Sequence, residues 1–203
     1  MRCAAVLAVL LLAVPTARAE VFHDGQVLQP GNFSLGFEGE MQFDPGTNYL
    51  TFAHLGIGLP GNVDFGGKVS FFDTQRTYFG ADLQWGVLDD GDGYPALSFY
   101  AGGHFVDISE KRQQPDYWGI DGGVTISETI RDMPVYFGYD LDVDFPPDES
   151  RAIFSQRVYG GIRIVVSEHL SFLIEGGWGL RDDRRQGREE TRHYISGGPT
   201  LYF

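Results

Sequence analysis

Cysteine is almost missing from this 203-residue chain; the single copy is Cys3. One cysteine forms no internal disulfide and no thiolate cluster for a metal. Lysine is nearly as scarce: Lys68 and Lys111 stand against thirteen arginines. Hydrated surfaces usually carry lysine, whereas arginine suits forked pairing with carboxylates in a confined space. Positive charge as a whole is short, with 15 Lys and Arg facing 28 Asp and Glu for a formal net charge of −13. Nucleic acid is therefore excluded as a partner, because phosphate contacts need a basic surface. Beyond the N-terminus no apolar run approaches the ~20 residues of a spanning helix, and no stretch shows helical periodicity. A helical membrane protein and a disulfide-stapled mini-protein are excluded with it.

The N-terminus does carry one apolar run. Arg2 precedes Ala4 to Val14, then Pro15, then Ala17-Arg18-Ala19 before Glu20. A short basic start, an apolar core and an A-x-A exit describe a secretory signal peptide. Residues 1–19 are read as that signal, 20–31 as a short lead-in and 32–203 as a single domain. Cleavage would remove Cys3 together with Arg2 and Arg18, leaving the exported chain still more acidic. Export also excludes a cytosolic enzyme.

From Phe33 onward the apolar period is 2. In Phe33-Ser-Leu-Gly-Phe-Glu-Gly-Glu-Met-Gln-Phe43 the odd positions are apolar or glycine and the even ones polar or glycine. The same alternation recurs at about 48–59, 62–73, 77–88, 96–108, 117–128, 133–145, 152–166, 170–181 and 192–203, which predicts ten strands. Many run past ten residues, against ~5–6 for an ordinary globular strand and ~9–11 for a tilted membrane-spanning one. Between them lie turn residues, such as Asp44-Pro-Gly-Thr-Asn48, Pro60-Gly-Asn62 and Phe145-Pro-Pro-Asp-Glu149. The connection at 128–134 is the least defined.

A soluble lipocalin-like barrel alternates too, with its apolar face inward, whereas an outer-membrane barrel turns that face to lipid. The chain favours the second. Gly80, Gly86, Gly102, Gly119, Gly123, Gly138, Gly161, Gly177, Gly179 and Gly198 share the polar parity with charges, as a crowded lumen requires. Phe33, Phe43, Tyr49, Phe65, Trp85, Trp118, Phe145 and Trp178 fall near strand ends on the apolar parity, as interfacial girdles do. The chain stops on Leu201-Tyr202-Phe203 with Ile195 on the same parity, although Gly197 and Pro199 interrupt the pattern. This terminal segment resembles the last strand of bacterial outer-membrane β-barrel proteins, which ends in phenylalanine as an assembly signal. The resemblance implies an all-β, antiparallel up-and-down transmembrane β-barrel of about ten strands in the envelope of a Gram-negative bacterium. It also implies Phe203 as the contact for the barrel assembly machinery, outer-membrane lipid and lipopolysaccharide as surroundings, and both termini in the periplasm. A monomer is expected.

Motifs with chemical potential are few. Gly56-Ile-Gly-Leu-Pro-Gly61 spells G-x-G-x-x-G, but a dinucleotide site needs a helix there and Pro60-Gly61-Asn62 leads into another strand. Asp89-Asp-Gly-Asp-Gly93 lacks the following acidic ligand of a calcium loop and reads as an acidic turn. Asp140-Leu-Asp-Val-Asp144 sets three carboxylates on one strand face, each ~6.8 Å from the next. Phe145 stands where a calcium loop needs glycine, so a charge network with luminal arginines is expected and no metal or other cofactor. Counting along strands, neither His54 nor His104 has a matching Ser, Asp or Glu one position away on its face. Both are therefore expected to line the lumen, and no enzymatic activity is expected. A barrel enzyme acting on lipid A or peptides, and a soluble periplasmic ligand-binding barrel, stay as alternatives. In the charged run 181–192, Arg184, Arg185 and Arg188 could engage lipopolysaccharide phosphates by forked hydrogen bonds.

Symmetric hairpins give an expected luminal network of Asp140, Asp142, Arg157, Arg163, Glu175 and Arg181. Asp140 falls beside Arg157, Asp142 beside Ser155, Arg163 beside Glu175, and Arg157 near Arg181. The functional expectation is a porin-like barrel with a charged, largely filled lumen, either structural or a narrow pore for small solutes.

Overall fold

The computed structural model describes residues 26–43, 48–72, 76–90, 94–108, 115–147, 151–183 and 188–203. Residues 1–19, read from the sequence as a signal peptide, lie outside them. Ten strands follow in order: β1 (Phe33–Phe43), β2 (Asn48–Leu59), β3 (Val63–Phe72), β4 (Arg76–Leu88), β5 (Ala96–Ile108), β6 (Tyr117–Ile130), β7 (Met133–Phe145), β8 (Ile153–Ser167), β9 (Leu170–Asp183) and β10 (Arg188–Tyr202). Each pairs antiparallel with its chain neighbours, and β1 pairs with β10 to close the barrel. Closure matters because it removes the two unpaired edges that lipid could not hydrogen-bond. At ~3.3 Å per residue and a tilt of ~40°, the eleven residues of β1 rise roughly 28 Å, close to the ~25 Å apolar band of such barrels.

The side-chain distribution is inside-out relative to a soluble barrel. Phe37, Phe79, Leu83, Trp85, Ile120, Phe137 and Ile195 are each about half exposed on the outer wall. Glu38, Glu40, His54, Asp82, His104, Asp140 and Arg163 are buried inside it. Such an exterior is suited to hydrocarbon, and it overturns the soluble ligand-binding alternative.

Both ends of the strand ring are distinct. Phe33, Phe203, the turns at 60–62, 131–132 and 168–169 and the end of β4 with the start of β5 lie at one end, here the terminal end; the ends of β1, β3, β5, β7 and β9 lie at the other, the loop end. The ill-defined connection resolves into a two-residue hairpin, Arg131-Asp132, with both φ angles positive at 50° and 66°. That is the backbone of a type I′ turn, whose twist matches the flanking strands. Asn62, at φ 59°, follows Gly61 and anchors its turn by donating to the Gly86 carbonyl at 2.7 Å.

Register departs from the symmetric expectation in one hairpin. Asp140 faces Arg157 and Asp142 faces Ser155 as expected. In β8–β9, however, Arg163 faces Leu173, Glu175 faces Gly161, and Arg157 faces Gly179. The Arg163–Glu175 and Arg157–Arg181 neighbours are thereby corrected by two residues. One residue of this shift comes from the turn, which is the two-residue 168–169 and sets Ser167 opposite Leu170; the other comes from the irregularity between Val165 and Ser167. A shift of two keeps every side chain on its face and changes only its partner.

Candidate functional site

Among the described residues the buried polar chemistry gathers in the lumen, whose terminal half is filled. Residues 26–32 enter it as a plug. Leu28 is 1% exposed and packs with Tyr202. Its N–H donates to the Asp64 carboxylate at 3.1 Å. Gln84 donates to the Gln26 carbonyl at 3.3 Å, and Arg163 to the Gln26 side-chain oxygen at 3.0 Å. Gly31 N–H bonds to the Gly58 carbonyl, which seats the segment on β2. Gly58 is glycine for this reason: a Cβ there would overlap the Gln29 carbonyl. The plug, not Glu175, is thus where Arg163 directs a guanidinium nitrogen.

Above the plug, aromatic side chains cross inward glycines to reach the next strand but one. Tyr100 on β5 spans Gly123 and donates to Asp140 on β7 at 2.8 Å. Tyr136 on β7 spans Gly161 and donates to Glu175 on β9 at 2.8 Å. Tyr159 on β8 spans Gly138 and meets Thr125 on β6 at 2.7 Å. His104 on β5 spans Gly119 and meets Asp144 on β7 at 2.9 Å. At all four glycines a Cβ would run into the crossing ring. The wall therefore gains a second, side-chain lattice over its backbone ladder, and each buried phenol finds the partner its burial demands. Tyr194 completes the layer by donating to Glu175 at 2.6 Å.

Toward the loop end the lumen opens into a vestibule of about 300 Å³. Its wall carries Glu38, Glu40, Asp121, Asp140, Asp142 and Asp144 among aromatic rings. The cations lining it are Lys68, 2.9 Å from Asp82, and Arg157, 2.8 Å from Asp140 with its guanidinium 5.3 Å from the Tyr194 ring centre. The vestibule is therefore acidic, with its cations each engaged by a carboxylate.

Of the residues singled out from sequence, Asp140, Asp142, Arg157, Arg163 and Glu175 face the lumen. Asp140 and Arg157 meet directly, Glu175 takes two tyrosine hydroxyls, and Asp142 looks toward His104 at 3.8 Å. The side chain of Arg181, and Arg184, Arg185 and the side chain of Arg188, lie outside the described residues. Phe203 is placed at the seam, where its N–H and C=O bond the Phe33 C=O and N–H at 2.9 and 3.0 Å. The histidine reading needs correction. His54 lies 3.6 Å from Glu38, and His104 lies 2.9 Å from Asp144 and 3.6 Å from Asp121. Counting one position along neighbouring strands misses Asp144, because it approaches from two strands away over Gly119. An inward glycine between an inward aromatic and an inward acid in strand register is the signal that could have found it.

No protein-family model matches the chain, and no curated protein matches it either. Among solved structures it is similar to a bacterial polysaccharide outer membrane secretin, with 14% identity and a TM-score of 0.55 over 85% of this chain. The chain spans 65% of the length of that secretin. The outer membrane protease OmpT from Escherichia coli aligns at 10% identity and TM-score 0.49, over 86% of this chain and 97% of that one. The KdgM porin aligns at 12% identity and TM-score 0.43, over 84% and 99%. Identities this low speak for architecture and not for activity. The chain has the fold of a bacterial outer-membrane β-barrel protein.

Proposed function

We propose that this is a non-enzymatic barrel of the bacterial outer membrane that is closed to solute flow. The observation carrying this reading is the plug: Leu28, Gln26 and their partners Asp64, Gln84 and Arg163 occupy the terminal half of the lumen. Ten-strand barrels have a narrow bore, and open aqueous channels belong to barrels of about sixteen. The termini face the periplasm and the acidic vestibule faces outward, as short turns on one side and longer connections on the other favour. The barrel works as a monomer in lipid and lipopolysaccharide, with Phe203 read by the assembly machinery and Arg184, Arg185 and Arg188 as the expected contacts for lipid phosphates. Planar bilayers test this reading. The refolded chain should give no conductance or only small, brief, cation-preferring events, given the acidic lining. A large, steady, porin-like conductance would overturn it.

A second reading, a barrel hydrolase, is favoured by the buried His104–Asp144 contact at 2.9 Å. Turnover of a lipid A or peptide substrate that is lost in Asp144→Asn would establish it against the first.

A further inference from the structure

His104 sits among three carboxylates from two other strands. Its Nε2 is 2.9 Å from Asp144 Oδ1 and 3.8 Å from Asp142 Oδ1, and its Nδ1 is 3.6 Å from Asp121 Oδ1. One ring nitrogen of His104 and one carboxylate oxygen each from Asp142 and Asp144 all lie within 4.8 Å of one another. First-row divalent ions hold nitrogen and oxygen ligands at ~2.0–2.2 Å, so adjacent ligands around one ion sit roughly 3–3.5 Å apart. Spacings of 2.9 and 3.8 Å bracket that value. Asp142 Oδ1 is buried and has no hydrogen-bond partner among the described residues, and the same is true of His104 Nδ1. A buried carboxylate oxygen without a donor is costly unless a cation compensates it.

The cations that line the vestibule are committed elsewhere, Arg157 to Asp140 and Lys68 to Asp82. Three acids thus surround one imidazole, and even a protonated His104 leaves the group net negative. All four side chains stand on the strands β5, β6 and β7, which hold geometry better than loops do. Gly119 makes the approach possible, since a Cβ there would meet the His104 ring.

We propose that His104 Nε2, Asp142 and Asp144 form a binding site for a divalent first-row transition metal ion. Asp121, 3.6 Å from Nδ1, is the positioning residue: its carboxylate takes the Nδ1–H once the ion occupies Nε2. Such carboxylate–histidine–metal arrangements are the usual second layer of a metal site. One imidazole with carboxylates suits zinc, cobalt or manganese, whereas calcium and magnesium prefer oxygen alone. Asp142 is about a third exposed toward the vestibule, so the ion's remaining positions face open space and can hold water or a small anionic ligand.

The test uses the full chain refolded in detergent and stripped with a chelator. Zinc titrated by calorimetry should bind at about one equivalent, with a micromolar or tighter dissociation constant. Asp142→Asn should weaken binding by about ten-fold or more, while Asp140→Asn, on the same strand face but engaged with Tyr100 and Arg157, should change it by less than about three-fold. Asp121→Asn should cost less than Asp142→Asn and leave the stoichiometry intact. A zinc-induced shift of the His104 Nε2 nitrogen resonance, with His54 unmoved, is expected in the unmutated protein. It needs no variant to fold. No saturable binding up to millimolar zinc, equal binding by Asp142→Asn, or a shift at His54 in place of His104 would each overturn the site.

Discussion

Gly138→Ala puts the side-chain lattice to a quantitative test. Gly138 faces the lumen between Thr125 and Tyr159, and the Tyr159 phenol crosses it to reach the Thr125 hydroxyl at 2.7 Å. An added Cβ would fall on that ring. Tyr159 is 5% exposed and Thr125 fully buried, so the displaced ring has little room and the hydroxyl has no water to turn to. A stranded buried hydroxyl costs ~1–3 kcal/mol, and pushing the ring toward Tyr136, 6.3 Å away centre to centre, adds ~1–3 kcal/mol of overpacking. Reduced freedom of the unfolded chain returns ~0.4–1 kcal/mol. The net expectation is a loss of roughly 1–5 kcal/mol. Gly176→Ala is the internal control. Gly176 points outward on β9, and its Cβ would meet the Tyr194 carbonyl at an ordinary 3.5 Å. It should change stability by ~0.5 kcal/mol or less. Urea unfolding in lipid, followed by the fluorescence of Trp85, Trp118 and Trp178, measures both. In the background of Tyr159→Ala, Gly138→Ala should cost little, because the ring it strikes is gone. Equal effects at Gly138 and Gly176, or additivity with Tyr159→Ala, would refute the crossing geometry.

Four other outcomes follow from the same wall and lumen. Arg157→Leu should destabilise the barrel by roughly 1–3 kcal/mol, tempered because Arg157 is 43% exposed; the pair Arg157→Leu with Asp140→Leu should cost less than the two single changes together, and simple additivity in urea unfolding would deny the coupling. Leu28→Asp places a second carboxylate beside Asp64 and should expel the plug, so bilayer conductance should rise above that of the unmutated chain; an unchanged trace would mean that the plug does not seal. Replacing Arg131-Asp132 by Asn-Gly should stabilise the β6–β7 hairpin by about 1 kcal/mol, since residues suited to positive φ relieve the turn; a lowered urea midpoint would contradict the type I′ assignment. Deleting Phe203 should reduce outer-membrane yield at low expression, because it removes both seam bonds to Phe33; equal folded yield would count against its role in assembly.

Ten strands, their parity and their approximate limits were legible because period-2 patterning acts locally and every turn but the one at Arg131-Asp132 carried its own signal. The Asp140–Arg157 contact was legible too, since one short hairpin sets it. What escaped was set by single residues with leverage over many others. The turn at 168–169, off-centre from His169 by half a position, and one irregular residue between Val165 and Ser167 together moved every partner along β8–β9 by two. The plug escaped because residues 26–32 have no periodicity, and their ties, such as Gln26 to Arg163, span 137 positions. The His104 cluster escaped because pairwise strand counting stops at the neighbour, whereas the glycines let rings pass over it. Parity told that Gly119 and Gly123 face inward, but not that their missing side chains are passages for His104 and Tyr100.

Nine of the ten seams join strands adjacent in sequence, while the tenth joins Ser34 to Tyr202, 168 positions apart. Bringing such distant segments together costs roughly 2–3 kcal/mol more in chain entropy than closing a ten-residue loop. The hairpins can therefore zip one after another, while β1 and β10 wait as open edges that any other strand could pair with. The plug changes that wait. Residues 26–32 lead directly into β1 and hold β2, β3, β4 and β8 through Gly58, Asp64, Gln84 and Arg163. A chain that has seated this segment has already gathered its first and eighth strands around a common mandrel. The final seam then closes over a short remaining gap, and the two vulnerable edges spend less time without partners.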